Sequence, residues 1–262
     1  MPMDSNAVIS EIKKGVILES LKNGKRLDGR AINDFREVKI TENYIPKASG
    51  SAMVELGKTK VVAGIKIEEG TPFPDSPDNG VMALNVELLP MAFPTFESGP
   101  PSEQAIEFSR VVDRGIRESK VIDTSKLVIE SGVKVWMIFV DIDILNYDGN
   151  IIDACTMAVV AALRSAVVPA SKLGKEDFKL PVNSTPVSVT MAKIGDELVC
   201  DPDLQEEQVS NGRITITMSE DNHIHAMQKG DVGEFSLEEI RKAIKTSCDT
   251  GSGLRKELFK VN

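Results

Sequence analysis

The sequence predicts a mixed α/β (α+β) chain, a larger β-rich unit followed by a smaller α+β unit. Three observations predict it. Runs rich in β-branched and aromatic residues alternate with Gly, Pro and Asp clusters through the first half. A very apolar, Ala-rich helix then ends at Pro169. Beyond a linker-like stretch, four short strands lead into a terminal helix with its own capping signal.

The elements follow in order. Val8, Ile9, Ile12, Val16 and Leu21 recur at helical spacing after a candidate N-cap, Ser5, and Asn23-Gly24 ends that helix. KRLDGR, Lys25 to Arg30, is a charged turn segment, and with it the N-terminal part covers residues 1–30. The first unit, 31–173, opens with two strands, Ser51 to Leu56 and Lys60 to Glu68, joined at Gly57-Lys58. TPFPDSPDNG is a loop, VMALNVELLP a strand and MAFPTFESGPP a second loop, before a helix from Ser102 to about Lys120. The near-continuous apolar start of VKVWMIFVDIDILNY predicts a strand buried on both faces. Asp148-Gly149-Asn150 turns it into a helix from Ile151 to about Val168, and Gly174 to Thr185 reads as a linker. The second unit, 186–262, places strands at Val187 to Ile194, Glu197 to Cys200, Arg213 to Met218 and Ile224 to Met227. Ser236 and Glu239 form a capping box for the last helix.

With 262 residues, 41% hydrophobic and 27% charged, the chain can bury a sizeable core, which excludes wholesale disorder. No apolar run is long enough to span a membrane, and the N-terminus lacks a signal-peptide pattern. Cys155, Cys200 and Cys248 lie far apart without CxxC spacing, so they are expected to be reduced thiols of a cytoplasmic protein. A net charge of −9 excludes a broadly basic nucleic-acid binder, so any RNA contact must rest on particular cations.

Several residue groups could carry chemistry. DELVCDPDLQEEQVSNGRITIT, from Asp196 to Thr217, holds six carboxylates, which could be a metal or acid site or a solvated loop. His223 and His225 alternate on one strand; a metal would need further ligands, and a polar hairpin face is the simpler reading. Asp141 and Asp143 share a strand face as a metal pair or a polar strand edge. Arg110, Arg114 and Arg117 form one stripe on a helix, with Glu107–Arg110 and Asp113–Arg117 as local pairs that offset the Arg110–Arg114 repulsion. The stripe is either a solvated, salt-bridged face or a track for phosphates. No Walker A, GxGxxG or GxSxG motif is present, so no cofactor and no metal are expected.

KRLDGR, the hairpin GSAMVELGKTKVVAGIKIE, the strand-turn-helix ILNYDGNIIDA and the terminal unit together resemble the RNase PH family of phosphorolytic exoribonucleases over nearly the whole chain. The helix ahead of KRLDGR and ESGPPSEQAIEFSRVVDRGIRESKVID resemble, more narrowly, the noncatalytic branch of that family in the archaeal exosome. The resemblance implies the RNase PH fold: a larger domain like domain 2 of ribosomal protein S5, then a smaller C-terminal α+β domain. It also implies a hexameric ring, a trimer of heterodimers with a catalytic paralogue, capped by RNA-binding subunits and threaded by single-stranded RNA. Phosphate attacks the RNA 3′ end in such assemblies, and magnesium belongs to the neighbour's site.

Active members carry an LPR-type strand end, a GGRT-type helix start and two aspartates six residues apart. Here the LPR arginine falls on Met91, and the GGRT arginine and threonine on Gln104 and Ala105. The aspartates fall on Glu207 and Arg213. Neither Met nor a neutral amide replaces a guanidinium fork for a phosphate dianion, and arginine neither donates a proton at neutral pH nor binds a divalent cation. The resemblance therefore implies no catalytic residue in this chain, with Arg110, Arg114 and Arg117 as the RNA-contacting group, since their helix lies just after the phosphate-gripping segment. The acidic stretch then becomes a solvated loop beside a decayed site. The competing expectation is an active phosphorolytic exoribonuclease using Asp201 or Asp203 with Glu207.

Overall fold

The computed structural model describes residues 5–261. Helix α1 (Ser5–Lys22) leads into strands β1 (Val38–Glu42), β2 (Gly50–Leu56), β3 (Thr59–Gly70) and β4 (Val81–Leu88). Helix α2 (Glu103–Glu118), strands β5 (Val128–Glu130) and β6 (Lys134–Asn146) and helix α3 (Ile151–Ser165) complete the first half. The second half runs β7 (Val167–Val168), β8 (Phe178–Lys179), β9 (Val187–Ile194), β10 (Glu197–Cys200), α4 (Leu204–Val209), β11 (Gly212–Met218), β12 (Ile224–Gly230) and α5 (Leu237–Leu254).

The first sheet has the order β1-β2-β3-β6-β4, antiparallel except for the parallel β4–β6 pair, with β5 added beside β6. The second is the antiparallel sheet β10-β9-β11-β12. Helix α3 packs against β2 and β3 on one side and β9 on the other, which is why nearly every residue of it is buried. Its alanines allow that closeness: a Cβ on Gly50 of β2 would stand 2.5 Å from the Ala162 carbonyl oxygen. Helix α5 covers β9 and β11, burying Ala243 and Leu254.

Several expectations change. From Met137 on, strand β6 is buried on one face only: Ile138, Val140, Ile142 and Ile144 are buried, whereas Met137, Phe139 and Asp141 are half-buried or exposed; only Val135 and Trp136 at its start are buried in succession. The strand's period of two reappears along these residues. Helix α3 stops at Ser165, not Val168. Ala166 is extended, and Val167 donates its N–H to Ser49 and pairs in β7 with β8. The β-branched pair ahead of Pro169 favours that extended path. The stretch from Gly174 to Thr185 is no free linker. It contains β8, forms a bridge between Val182 and Ile122, and sends the Ser184 hydroxyl to the Ser119 carbonyl at 2.7 Å.

In α1, Ile17 and Leu21 are buried against Ile194, Val199 and Val209, whereas Val16, one step round the helix, is 52% exposed. The side chains of Ser5, Val8, Ile9 and Ile12 lie outside the described residues. Helix α4 interrupts what reads as loop. Its signal was present in Asp203-x-x-Glu206, a capping box that the structure forms in full. Among the described residues no helix is long and apolar enough to cross a membrane.

Candidate functional site

The charged turn KRLDGR is the first element of the site, and it is structural. Arg26 is buried and donates from Nε to Glu206 Oε1 at 2.8 Å, from Nη2 to Glu206 Oε2, and to the carbonyls of Cys200 and Asp201. Arg30 reaches Asp201 Oδ2 at 2.9 Å. Arg36 forks onto both oxygens of the same carboxylate at 2.8 and 2.7 Å. The Asn150 amide then bridges Asp201 and Asp153 at 2.7 and 2.8 Å, and Asp153 accepts the backbone and hydroxyl of Thr190. This chain of polar contacts joins the N-terminal segment, the first sheet and the second sheet.

The acidic stretch is therefore not a solvated loop. Asp201 and Glu206 are buried and ion-paired, Asp203 caps α4, and Glu207 faces a pocket. Burial opposes ionisation of Asp201, but the Arg36 guanidinium holds its carboxyl below the usual range. Burial dominates at Asp153 and raises its carboxyl to about 7, against the hydrogen bonds from Asn150 and Thr190. Burial also pushes the Cys155 and Cys200 thiols up, which removes them as nucleophiles.

Above this network, Gln104, Tyr147, Glu207 and Arg213 line one small cavity of about 170 Å³, with Ser210 and Asp231 on its rim. The turn Asp148-Gly149-Asn150 shapes it. Gly149 has φ +86°, and a Cβ there would come 2.5 Å from the Asp203 backbone, so the second domain seats directly on this turn. Asn150, itself at φ 55°, gives its backbone N–H to Glu207 Oε1 at 2.8 Å, and the Tyr147 hydroxyl donates to Oε2 at 2.6 Å. Burial raises the Glu207 carboxyl above its ordinary range, moderated by these donors and by Arg213 and Arg36.

Arg213 starts β11 and crosses the domain boundary. Its Nη2 donates to Glu107 Oε1 on α2 at 2.6 Å, and its guanidinium lies over the Phe108 ring at 5.7 Å. The strand register places Gly230 opposite, where a Cβ would stand 2.8 Å from Nη2, so the glycine leaves the arginine its path. The expected Glu107–Arg110 pair is thus replaced by Glu107–Arg213. Tertiary packing offered Glu107 a partner 14% exposed, whose bond is less screened than one to a solvated neighbour.

Next to this cavity a groove of about 620 Å³ runs between the end of β4 and the start of α2. Its charged lining residues are Glu87, Glu97 and Glu103, with Gln104 and Ala105 at the helix start. Met91 is 75% exposed beyond the strand end. A groove lined by carboxylates repels a phosphate dianion.

The arginine stripe lies on the solvent side of α2, with Arg110, Arg114 and Arg117 all exposed. Arg117 pairs with Asp113 at 2.7 Å and donates to the Met82 carbonyl. Arg114 touches Gln228 of β12 at 3.3 Å, and among the described residues the Arg110 guanidinium has no acceptor within the fold.

The other candidates separate. The His223 and Asp221 side chains are 2.5 Å apart, while His225 Nε2 lies 2.6 Å from Ser219 Oγ. The carboxylate of Asp221 bonds that same serine, not the second nitrogen of His225, so the trio lacks a nucleophile's geometry. Asp141 and Asp143 share the outer face of the first sheet with Glu87, and burial, then Glu87, raises the Asp143 carboxyl. Among the described residues no three His, Cys, Asp or Glu side chains are grouped to hold a metal ion. The clamp built by Arg26, Arg30 and Arg36 was missed in the sequence, because no local signal names a partner among 40 carboxylates.

The profile of the 3′ exoribonuclease family (RNase PH), domain 1, matches residues 34–169, and that of its domain 2 matches residues 184–250. The chain belongs to this family. Within the RNase PH family it is similar to the exosome complex component Rrp42 of Thermoplasma acidophilum, 63% identical over 99% of this chain and 100% of the relative. The Thermococcus kodakarensis protein of the same name is 47% identical over 99% and 98%. A chain of the Archaeoglobus fulgidus exosome, solved with RNA bound to the active site, superimposes with a TM-score of 0.93 at 45% identity, covering 95% of this chain and 99% of that one. The two-domain RNase PH fold is therefore the architecture of this chain.

Proposed function

We propose that this chain is a noncatalytic subunit of an archaeal-exosome-type assembly that degrades and processes RNA from the 3′ end with phosphate. In this reading it alternates with a catalytic RNase-PH-like paralogue in a hexameric ring of three heterodimers, under RNA-binding cap subunits. Its domains run 31–173 and 186–262, after an N-terminal helix and turn segment, 1–30, whose Arg26 and Arg30 bond the second domain. Arg110, Arg114 and Arg117 supply cations to the single-stranded RNA path.

One observation carries the absence of catalysis. Arg213, at the second acid position, is tied to Glu107, and the adjoining groove offers carboxylates where phosphate would need arginines. The competing pair is consumed elsewhere: Asp201 is bonded to Arg30 and Arg36, and Asp203 caps α4. Similarity to exosome components over the full chain supports the assembly. The three free cysteines fit a reducing cytoplasm.

The direct test incubates the purified chain with RNA and inorganic phosphate and measures nucleoside diphosphates. None are expected from the chain alone; sustained release abolished by Glu207→Gln would overturn the reading. For the RNA role, Arg114→Ala in the reconstituted ring should lower the salt slope of single-strand binding by about 0.7 for each RNA phosphate that the arginine no longer neutralises. A slope unmoved by all three arginine substitutions removes the stripe from the RNA path.

A further inference from the structure

A cavity of about 620 Å³ closes the C-terminal end of α2, between the loop ahead of β4 and the turn after the helix. Apart from Arg117, its lining residues have no part in the function proposed above. Phe73 stands on the rim with 57% of its surface exposed, the most exposed of the large aromatic side chains. Lys120 leaves the helix at φ 49°, its N–H returned to the Arg117 carbonyl, so its side chain departs from the helical course beside the cavity. Among the described residues its ammonium has no acceptor in the fold. Arg117 belongs to the same lining, with its Nε and Nη2 engaged and Nη1 open. Asn79 accepts from Thr124 while, among the described residues, its amide hydrogens have no acceptor in the fold, and the Asn183 side chain is exposed. The one carboxylate of the lining, Asp123, is turned to Ser125 and Lys126.

We propose that this cavity is a nucleotide subsite for single-stranded RNA, in which Phe73 stacks a base and Arg117 and Lys120 hold its phosphate. The inference rests on the RNA role proposed for the stripe, whose last member is Arg117, and extends that track into a built pocket. An exposed phenyl beside two cations and two free amides matches what an unpaired nucleotide offers: a π-face, a phosphate and hydrogen-bonding base edges. A duplex, whose bases are stacked inside, cannot use the phenyl face. Arg110 to Arg117 spans about 10 Å of helix, so the track and the subsite are continuous.

The test measures binding of a single-stranded oligonucleotide to the reconstituted ring by fluorescence anisotropy across salt. Phe73→Ala should weaken binding roughly 5- to 100-fold, as loss of one stacked base does, and Phe73→Tyr should restore it. Lys120→Ala should lower the salt slope by about 0.7. An oligonucleotide with abasic sites should bind equally to wild type and Phe73→Ala. Thermal midpoints check that each variant is folded. Phe73→Ala binding like wild type, while Arg110→Ala and Arg114→Ala bind weakly, overturns the subsite and leaves the stripe standing. Wild-type binding by Phe73→Ala, Lys120→Ala, Arg110→Ala and Arg114→Ala alike overturns both.

Discussion

Replacing Asp201 by asparagine tests whether the acidic stretch is architecture. Its carboxylate accepts five hydrogen bonds: three from Arg36, one from Arg30 and one from Asn150. Its side chain is fully buried, and the two arginines are 13% and 9% exposed. Asparagine keeps the shape but loses the charge and turns an NH₂ group toward a guanidinium. Breaking a buried pair from one side costs about 3–5 kcal/mol, because the remaining charge is left uncompensated. For a chain of this size that lowers the thermal midpoint by roughly 6–20 °C. The pH dependence follows from the depressed carboxyl. Its stabilisation is present above the unfolded value of about 4 and is lost as pH falls through the folded value. The Asp201→Asn deficit should therefore be constant from about pH 5 to 8 and shrink below about pH 4. Differential scanning calorimetry of both proteins measures it. A midpoint within about 2 °C of wild type at pH 7 would refute the reasoning, because the arginines would then not depend on this charge.

Three further outcomes are expected. Asp153, with its carboxyl at about 7, keeps its proton in the folded chain while the unfolded chain releases it. Stability should therefore fall between about pH 4 and 7 by up to about 1.4 kcal/mol per unit, and Asp153→Asn should remove that slope from urea-unfolding profiles; an unaltered slope sinks the assignment. Gly230→Ala should displace Arg213 from Glu107, so a double-mutant cycle with Glu107→Gln should show coupling of about 0.5–3 kcal/mol, and additive losses would mean that the Cβ leaves the pair intact. Arg213→Asp should not create phosphorolysis in the isolated chain, because the neighbouring groove still lacks a cation; nucleoside diphosphate release by this variant would locate a phosphate grip elsewhere.

Much of the fold was legible because its signals are local. The hairpin at Gly57-Lys58, the Asp148-Gly149-Asn150 turn and the Ser236/Glu239 capping box are set by residues within a few positions of one another. Strand β1 was not legible, since its only apolar residues, Val38 and Ile40, alternate with polar ones over just five positions, too short a period to stand out from the charged segment around it. Helix α4 could have been read from its capping box, but the run of carboxylates looked like solvent-exposed loop.

The sequence by itself determined the side chains that the family resemblance sets against catalytic positions: Met91, Gln104, Glu207 and Arg213. It also determined the spacing that lines up Arg110, Arg114 and Arg117 on one helix face. Only the tertiary structure decided what the charges do. Arg26 meets Glu206 across 180 residues and Arg36 meets Asp201 across 165, while Glu107 turns from its helical neighbour to Arg213 in the other domain. The physical reason is range. Turn chemistry and hydrophobic period act over a few residues, whereas a buried ion pair is chosen by which side chains the packed domains bring together away from water.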